Sequence, residues 1–566
     1  MIDPEDLFDI SFPSFSDERA FSGSDQLILN EFKSGELTLP PHPAVEVGHN
    51  PTWAEDPLDD DNWRFQYCSL YWLERIRVAA KRTDDNESFY KWKRYLMSWI
   101  SSNPIESPRS DYSWFDMAVG TRVLVLLRAV TELGWESWLV DALVSHGKFL
   151  ADEANYEGKG NHALHQDIGL LCAGFALENE PWMGLAQQRM ETMFFDAVDQ
   201  EGVSREGSLD YQYRNLRWYA EALQRLKLAA RPVNPEWIQR LENMADLLLW
   251  GIRSDGNLVM WGDTNEHSAL NARQIAEGLG FSLDISAEDR TGPKKFEAGY
   301  ILDKRTGKEP SLFTARFGPG RATAVHGHDD GGSFTWDAKG EVLLRDSGIF
   351  AYEGGEARLY VRGPESHSVC NVRGVDRYTT ASTDLLSYDA NDHYTFATVE
   401  SKAMKGLNWV RTFLYVPAHS VLAVDDRITS KVGEIEVDQL WQMGPNFEFI
   451  KKGLYESDEF SVQIEQLKYQ TDLQTGWFKG DTDPLLGWYS PSYRELIPSG
   501  TVRYSRSGET VRFSTLVIAS QKVHQGPERS LNSDSKRMRL AVKSSAGLLK
   551  AEFDSQSVLE FDSKLK

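Results

Sequence analysis

The chain has 566 residues, too many for a single hydrophobic core, so two or more domains are expected. Its formal net charge of -24 argues against a general nucleic-acid-binding protein, although a local basic patch could still bind a polyanion. The three cysteines show no CxxC spacing and cannot form a disulfide framework, and no apolar run is long enough for a membrane-spanning helix.

The first half of the chain carries a helical pattern. Apolar residues recur at i, i+3 and i+4, which is the spacing of one helix face. The segments with this pattern are residues 70–78, 89–100, 118–133, 138–152, 168–177, 181–197, 219–230 and 235–251. Because no repeat of fixed period joins them, the pattern favours a bundle or a closed toroid of helical hairpins over a regular solenoid.

Near residue 296 the pattern changes to short segments of alternating polarity. These are residues 311–317, 332–337, 341–344, 408–416, 420–424, 460–464, 501–504, 510–517 and 550–553. Such alternation, bounded by turn residues, predicts an antiparallel β-sandwich. We therefore expect an N-terminal extension (1–50), a helical domain (51–280), a linker (281–298) and a β-domain (299–566). A cleft between two such domains is a natural place for a site.

The segment most informative about chemistry is residues 326–333, with the sequence His-Gly-His-Asp-Asp-Gly-Gly-Ser. On an extended backbone, His326 and His328 would project to the same side. Asp346 and His367 follow, and two imidazoles with one carboxylate are an ordinary ligand set for a divalent cation. The remaining imidazole would then be available for proton transfer.

Two further polar clusters lie in the helical half. Asn161, His162 and His165 stand where a helix is predicted to begin, a position that suits an anionic group. An asparagine cap followed by exposed histidines is the alternative interpretation. Tyr211 follows Glu206 among charged residues and would transfer protons at neutral pH only if cationic neighbours lowered its pKa. A plain surface tyrosine is the alternative there.

Several side chains are candidates for binding a sugar. Trp114 and Arg122 are eight residues apart, so that both could face one side of a groove. An exposed indole stacks on a sugar face, and arginine binds a carboxylate through two hydrogen bonds. Core packing of Trp114 is the alternative. The predicted substrate-binding residues are Trp114, Arg122, His165, Glu206 and Trp261.

In this order the segments resemble the heparinase II/III-like polysaccharide lyases, and the resemblance covers most of the chain. Each motif is short, and it is their order that makes the set specific. The motifs are Trp63-Arg64-Phe65, Trp114 with Arg122, Asn161-His162, Glu206-Gly207-Ser208 with Tyr211, Gly262-Asp263, His326-x-His328-x-Asp330-x-x-Ser333, Asp346 and His367. Two positions depart from the family's pattern: some relatives have a different polar residue in place of His165, and many have histidine in place of Gln212.

The resemblance implies a fold and an activity. The fold is α+β multidomain, with an N-terminal (α/α) toroid (an incomplete barrel) followed by a C-terminal antiparallel β-sandwich. The activity is β-elimination on a uronic-acid-containing polysaccharide, which gives unsaturated uronate products. Heparan sulfate, chondroitin sulfate and hyaluronan are the candidate glycosaminoglycans, and alginate or oligoalginate is the alternative substrate.

The resemblance also implies the roles of four catalytic residues. Asn161 corresponds to the residue that neutralises the uronate carboxylate, and His162 adjoins it. Tyr211 corresponds to the catalytic tyrosine and His326 to the active-site histidine. If the C5 proton and the leaving group lie on one face of the sugar, the tyrosine could transfer both protons. If they lie on opposite faces, His326 would be the base and Tyr211 the acid.

The implied cofactor is one divalent metal ion. His328, Asp346 and His367 correspond to its ligands. We expect the ion to be mainly structural, because its ligands would tie loops of the sheet half together around His326. Zinc is the first choice for two histidines and one aspartate, with manganese or calcium as alternatives.

Other functions stay open at this point. A glycoside hydrolase on the same toroid would need two carboxylates facing the scissile bond, and Glu206, Asp210 and Asp263 are available. A carbohydrate-binding scaffold would leave the histidine and aspartate set unexplained. The expected partner is an anionic polysaccharide or oligosaccharide, with no nucleic acid and no membrane, and monomer and dimer are both open. No signal peptide is visible, which predicts a cytoplasmic chain as given, or a periplasmic or secreted one if a leader was removed.

Overall fold

The computed structural model describes residues 2–8, 24–266, 290–352, 354–466, 472–522, 528–534, 536–544 and 546–565. This part of the chain forms two compact units. Unit 1 holds the described residues up to 198 and residues 215–242, and unit 2 holds residues 199–214, 243–266 and those from 290 onward. Residues 9–23 of the predicted extension, 267–280 of the predicted helical domain and 281–289 of the predicted linker lie outside the described residues.

Helices dominate the chain up to residue 251. Each helical segment predicted from periodicity overlaps one of them. Asp60 and Asn179 precede two of the helices, and their side chains accept hydrogen bonds from the backbone N–H groups of Trp63 and Trp182, which would otherwise lack partners. The helices are α1 (Asp25–Ser34), α2 (Asp61–Ser69), α3 (Tyr71–Arg82), α4 (Asn86–Ser102), α5 (Asp116–Leu133), α6 (Ser137–Ala151), α7 (Gly160–Ala176), α8 (Glu180–Ala197), α9 (Leu209–Leu228) and α10 (Pro235–Gly251).

Helices α5 and α7 form a close pair inside unit 1. A Cβ atom on Gly120 of α5 would lie 2.1 Å from the carbonyl oxygen of His165, and one on Gly169 of α7 would lie 2.6 Å from the Cα of Gly120. The two backbones therefore approach at a distance that only glycine permits. This contact brings together the first turns of the two helices, which carry Asp116 and His162.

Strands dominate the chain from residue 292 onward, and every strand pair among the described residues is antiparallel. The strands are β1 (Glu36–Leu37), β2 (Val45–Glu46), β3 (Gly292–Phe296), β4 (Tyr300–Arg305), β5 (Ser311–Arg316), β6 (Phe334–Ala338), β7 (Glu341–Leu344), β8 (Cys370–Val372), β9 (Thr383–Ala390), β10 (Thr395–Ser401), β11 (Leu407–Val416), β12 (Val421–Ser430), β13 (Ile435–Gln442), β14 (Glu448–Lys451), β15 (Leu454–Glu456), β16 (Phe460–Gln466), β17 (Gln474–Lys479), β18 (Asp481–Thr482), β19 (Leu485–Leu486), β20 (Trp488–Tyr489), β21 (Ile497–Pro498), β22 (Gly500–Gly508), β23 (Thr510–Gln521), β24 (Glu528–Ser533), β25 (Met538–Ser544), β26 (Gly547–Phe553) and β27 (Val558–Leu565).

These strands form layers. The largest sheet has the order β14-β15-β16-β23-β12-β11-β10-β9; beside it are a five-stranded sheet β3-β4-β5-β6-β7 and the four-stranded sheets β17-β22-β13-β8 and β24-β25-β26-β27. Residues of β11 alternate between two cores: Trp409 and Phe413 join the core shared with β4–β8, and Leu414 and Val416 pack with the last sheet. Both faces of the largest sheet are therefore covered.

The predicted fold class is confirmed: a helical first part is followed by antiparallel sheets. Each predicted strand segment overlaps an observed strand. The strand β3 lies inside the segment predicted as a linker, and a short helix, α11 (Glu356–Arg362), had no periodic signal. Within the described ranges, no helix is both long enough and apolar enough to span a bilayer.

Candidate active site

Three loop segments of unit 2 are joined by backbone hydrogen bonds around His326. The N–H of His326 donates to the carbonyl of Glu206 (3.0 Å), and the N–H of Asp263 donates to the carbonyl of His326 (3.0 Å). The Ser208 hydroxyl donates to the carbonyl of Asp263 (2.8 Å). The Glu-Gly-Ser, Trp-Gly-Asp and His-Gly-His motifs thus form one continuous structure, although they are far apart in sequence.

Gly262 makes this close approach possible. Its φ is 55°, in the left-handed region, and a Cβ atom there would lie 2.3 Å from the carbonyl oxygen of Gly207 and 2.4 Å from that of His326. A larger residue would push the segments apart, so glycine is required immediately before Asp263.

Asp263 is the centre of the site. It is fully buried, and Arg358 donates to both of its oxygens at 2.5 and 2.7 Å. His326 Nδ1 lies 3.0 Å from Oδ2, and His328 Nε2 lies 2.9 Å from Oδ1. Burial alone would raise the pKa of Asp263, but the hydrogen bonds from these three side chains outweigh it and hold the pKa well below its usual range. The carboxylate is therefore charged and fixes both histidines.

The sequence predicted that His326 and His328 lie on an extended segment, but in the structure they do not. His326 is in a turn and His328 in an irregular segment, and the N–H of Gly327 closes the turn by donating to the carbonyl of Ala324 (3.0 Å). The side chains nevertheless converge, since both reach Asp263. Helix α11 supports the turn: the N–H of Asp329 donates to the carbonyl of Arg362 (2.9 Å), and Arg362 Nη2 donates to the carbonyl of Gly327 (3.1 Å).

Tyr211 lies directly against His326. Their rings are stacked, with centroids 3.4 Å apart and an angle of 13° between the planes. Because the Nδ1–H of His326 is directed at the Asp263 carboxylate, the lone pair of the neutral ring is at Nε2. The nearest carboxylate oxygen to Nε2 is Glu206 Oε2, at 3.6 Å. A tyrosine hydroxyl and an imidazole acceptor therefore share one site.

The Tyr211 hydroxyl keeps its proton at neutral pH. Burial raises the pKa of Tyr211, and the neighbouring Tyr352 hydroxyl, which accepts a hydrogen bond from Tyr211 at 2.8 Å, raises it further. Arg214 acts in the opposite direction, with its guanidinium carbon 5.5 Å from the Tyr211 ring centroid, but does not compensate. The cationic neighbour therefore does not bring the pKa of Tyr211 below its ordinary value, and Tyr211 is placed to donate a proton.

His328, Asp346 and His367 form a buried group that could hold a metal ion, with potential ligand atoms all within 4.8 Å of one another. His367 Nδ1 lies 2.5 Å from Asp346 Oδ1. Burial lowers the pKa of His328. It would also lower that of His367, but the Asp346 carboxylate outweighs it and the pKa of His367 is raised.

The donor atoms of this group fit a divalent cation. Within the described residues, the buried atoms His367 Nε2 and Asp346 Oδ2 have no hydrogen-bond partner. A buried polar atom without a partner costs roughly 1–3 kcal/mol, which a bound cation would remove. His328 already has partners at both ring nitrogens, Ser347 Oγ at 3.1 Å and Asp263 Oδ1 at 2.9 Å. Ligation by His328 would replace one of these hydrogen bonds.

A cavity of about 620 Å³ in unit 2 borders the same turn through Gly207, Gly327 and His328. Three arginine side chains contribute to its lining: Arg205, Arg316 and Arg321. Arg316 is engaged by Asp330, with Nε 3.2 Å from Oδ2, whereas Arg205 is exposed. Arg321 is also paired, with Nε 3.5 Å from Oδ2 of Asp329, and Asp199 is part of the same lining, so aspartates offset much of the arginine charge there.

The other predicted polar cluster lies in unit 1. Asn161 and His162 are in the first turn of α7 and both are part-exposed. His162 Nδ1 lies 3.0 Å from each carboxylate oxygen of Asp116. The residue before the helix is Lys159, so Asn161 is not the cap. Its side chain has no hydrogen-bond partner among the residues described, which leaves the amide available to a ligand.

Three predicted substrate-binding side chains are buried in the protein instead. Arg122 is fully buried in unit 1, where it donates to the carbonyls of Cys68 (2.5 Å) and Ser113 (2.6 Å), so it binds backbone and not a carboxylate. His165 is buried, which lowers its pKa to about 4. Trp261 is fully buried in unit 2. Local sequence could not reveal this, because burial depends on distant segments.

Trp114 is part-exposed, and its indole N–H donates to the carbonyl of Asn103 (3.0 Å). The ring lies against that of His146, with centroids 4.7 Å apart. It is therefore mainly a packing residue. Glu206 Oε2 lies 3.6 Å from His326 Nε2, and its role in substrate binding stays a prediction.

Sequence reasoning missed three residues of the site: Asp263 as the carboxylate that orients His326, Arg358 as its partner, and Tyr352 beside Tyr211. The sequence did contain a signal for Asp263, because this residue follows a glycine in a polar turn. Arg358 and Tyr352 lie between Asp346 and His367 without any local pattern, and only the fold brings them to the site.

The helical part and the strand-rich part of the chain each match a model of a known protein family. Residues 16–281 match the family model "Heparinase II/III N-terminus", and residues 298–535 match "Heparinase II/III-like, C-terminal". A heparin-sulfate lyase of Pedobacter heparinus is 21% identical, in an alignment that covers 78% of this chain and 72% of the relative.

Solved structures share the fold. A mutant heparan sulfate lyase from Pedobacter heparinus has a TM-score of 0.74 at 17% identity, covering 98% of this chain and 92% of that one. A chondroitin AC lyase from Streptomyces coelicolor, in complex with chondroitin sulphate, has a TM-score of 0.57 at 11% identity, covering 98% of this chain and 88% of that one. At such identities the likeness establishes the fold alone.

Proposed function

Because this chain belongs to the heparinase II/III family, we propose that it is a polysaccharide lyase that cleaves a uronic-acid-containing glycosaminoglycan by β-elimination. A relative named as a heparin-sulfate lyase supports this class of substrate. The observation that carries the proposal is the stack of Tyr211 on His326, with Asp263 fixing the tautomer of the imidazole.

The first requirement of the reaction is to acidify the C5 proton of the uronate. The neighbouring carboxylate is negative and opposes formation of a carbanion, so its charge must be neutralised. Asn161 and His162 are the proposed donors to that carboxylate, and they stabilise the enolate-like intermediate as its charge grows. The free amide of Asn161 and the ion-paired imidazole of His162 suit this role.

The second requirement is a pair of proton transfers. His326 Nε2 accepts the C5 proton, and the electrons of the C5–H bond form the C4–C5 double bond. The C4–O4 bond breaks, and the Tyr211 hydroxyl protonates the departing O4. Tyr211 is suited to be the acid because it holds its proton, and His326 to be the base because Asp263 occupies its Nδ1–H.

We assign a structural role to the metal group. His328, Asp346 and His367 would hold a divalent cation, with zinc preferred for this donor set and manganese or calcium as alternatives. A bound cation would supply positive charge that holds His328, Asp346 and His367 in place, and His328 contacts Asp263. No proton-transfer step is assigned to these residues.

The hydrolase alternative lacks suitable carboxylates. Hydrolysis needs one protonated and one ionised carboxyl group beside the bond. Asp263 is fully buried and engaged by Arg358, and its lowered pKa prevents it from acting as an acid. Asp210 accepts a hydrogen bond from Asn265 at 2.7 Å. Glu206 alone cannot provide both groups.

A panel of polymers tests the proposal. Purified protein is incubated with heparan sulfate, chondroitin sulfate, hyaluronan and alginate, and the ultraviolet absorbance of unsaturated uronate is followed. We expect absorbance to rise with at least one glycosaminoglycan. Tyr211→Phe should lower the rate by at least about 10³-fold, in the range of a lost acid catalyst and its hydrogen bonds.

The matched control is Tyr213→Phe, which removes a hydroxyl two residues along the same helix and should keep the wild-type rate. New reducing ends without absorbance would indicate hydrolysis and contradict the proposal. Absorbance with alginate alone would reject the glycosaminoglycan substrate.

A further inference from the structure

Asp116 has no role in the reaction described so far, yet it is the acidic partner of His162. It is the first residue of α5, and His162 is the third of α7. His162 Nδ1 lies 3.0 Å from Oδ1 and 3.0 Å from Oδ2 of Asp116. A carboxylate that receives one N–H between its two oxygens fixes both the tautomer and the plane of the ring.

The surroundings hold this pair in place. The side chain of Asp116 is 14% exposed and that of His162 is 40% exposed, so the carboxylate is covered while the imidazole reaches solvent. The Phe115 ring meets the His162 ring edge-on, with centroids 5.9 Å apart. Asp116 also accepts a hydrogen bond from the N–H of Met117, at the positive end of its own helix, where a carboxylate is favoured.

The exposed end of the ring is Nε2. Among the residues that the structure describes, Nε2 of His162 has no hydrogen-bond partner. With Nδ1–H engaged by Asp116, a proton on Nε2 makes the ring a cation with one free donor. Such a donor binds an anionic group such as a carboxylate.

The charges around His162 favour that cation. Asp116 has the largest effect and raises the pKa of His162; burial opposes it, and Glu157 adds a smaller contribution in the same direction as Asp116. The first turn of α7 opposes a cation, because the helix dipole is positive there. His165 of the same helix is buried with a lowered pKa and adds no positive charge at neutral pH.

We propose that Asp116 is a positioning residue that holds His162 as an oriented imidazolium, with its free Nε2–H directed at the carboxylate of the substrate. This inference rests on the proposed lyase function and extends it to a residue that has no contact with the sugar. Asp116 orients His162 toward the substrate carboxylate, as Asp263 orients His326 toward the C5 proton. In each pair the aspartate binds one ring nitrogen and so determines which nitrogen stays free.

The sign of the pH dependence follows from the raised pKa. The imidazolium is present below the pKa of His162 and is lost as the pH rises through it. Activity that needs the cation therefore falls on the alkaline side. Asp116→Asn removes the charge that raises this pKa, so the alkaline limb should move to lower pH.

The test combines a ring titration with kinetics. The chain has 12 histidines, so the His162 ring signal is first assigned by its loss in His162→Gln, using ¹³C-labelled histidine and NMR. The pKa of His162 is then measured in the wild type, in Asp116→Asn, and in Asp111→Asn as a control for an exposed aspartate five residues earlier. Thermal unfolding confirms that the variants are folded.

We expect the pKa of His162 to fall in Asp116→Asn and to stay constant in Asp111→Asn. We also expect kcat at neutral pH to fall by about 10- to 100-fold, with a smaller rise in KM, as for a misplaced catalytic group. Asp116→Glu should recover part of the loss, since it restores the charge.

Two results would overturn the inference: an unchanged pKa of His162 in folded Asp116→Asn, or a lowered pKa without any movement of the alkaline limb. The lyase proposal fails separately, if the wild type forms no unsaturated product with any polymer. In that case the ring titration still decides whether Asp116 maintains the imidazolium.

Discussion

At the scale of single residues, Asp263 is the group on which most of the site depends. It fixes His326, holds His328 and neutralises Arg358. A buried carboxylate with three such partners is stable only as an anion, and each partner depends on it. Loss of its charge should therefore affect both chemistry and stability.

We expect Asp263→Asn to reduce kcat by about 10³- to 10⁴-fold, because the amide would no longer enforce the tautomer with a lone pair on Nε2. The same change should lower the free energy of unfolding by about 3 kcal/mol, since Arg358 would be left buried without a counter-charge. Steady-state kinetics and denaturant unfolding measure the two effects.

Asp337→Asn is the matched control for Asp263→Asn, as Asp337 is also a buried aspartate of unit 2 and its carboxylate accepts a hydrogen bond from Ser254 (3.1 Å). Its kcat should stay within a few-fold of the wild type. A wild-type kcat in folded Asp263→Asn would show that the carboxylate does not orient the base.

The sequence predicted which residues meet at His326 better than it predicted which side chains are exposed. His326 and Tyr211 were chosen from motifs, and they stack on each other. Arg122 and Trp261 were chosen for what such side chains do on a surface, and both are buried. Side-chain chemistry can be read from sequence, but exposure depends on segments distant along the chain. The catalytic and binding roles themselves stay predictions until they are measured.

At the scale of elements, periodicity placed many helices and strands correctly but missed others, such as α1, α2, β9, β10 and β13. Each periodic segment overlaps an observed element, because burial of one face imposes a spacing on the sequence. Helix α11 escaped this reasoning because its seven residues are too few to show a periodic pattern. Its Tyr360 and Val361 pack with Leu486, and Arg358 and Arg362 bind neighbouring loops.

The buried metal group ties several such elements together, which makes its removal a test at this scale. His367→Ala should abolish binding of the divalent ion and lower Tm by on the order of 10 °C, since tight binding contributes about 4 kcal/mol and each kcal/mol shifts Tm by a few degrees. Mass spectrometry for metal content and thermal unfolding with and without a chelator give the readout.

His419→Ala controls for the cavity that the substitution leaves. His419 is also a buried histidine of unit 2, with Nε2 2.9 Å from the Ser563 hydroxyl, but it lies outside the metal group. This variant should lose some stability and keep its metal. A wild-type protein without metal, whose Tm ignores the chelator, would contradict a structural ion.

At the scale of the whole molecule, the sequence predicted the family and the fold class, and both are confirmed. The predicted helical domain (51–280) includes residues of both units. Residues 199–214 and 243–266 carry Glu206, Tyr211 and Asp263, and they belong to the strand-rich unit although they follow or enter helices. Helical periodicity indicates which face of a helix is buried, but it does not indicate to which of the two units the helix belongs. The oligomeric state and cellular location stay predictions.

The central claim is that this chain breaks a glycosidic bond by elimination, with Tyr211 and His326 transferring the protons. The most direct test is the mass balance of the products from a defined uronate-containing oligosaccharide. The account predicts two fragments whose masses sum to that of the substrate, formed by the wild type and not by Tyr211→Phe. Fragments that together contain one additional water, or equal turnover by Tyr211→Phe, would contradict it.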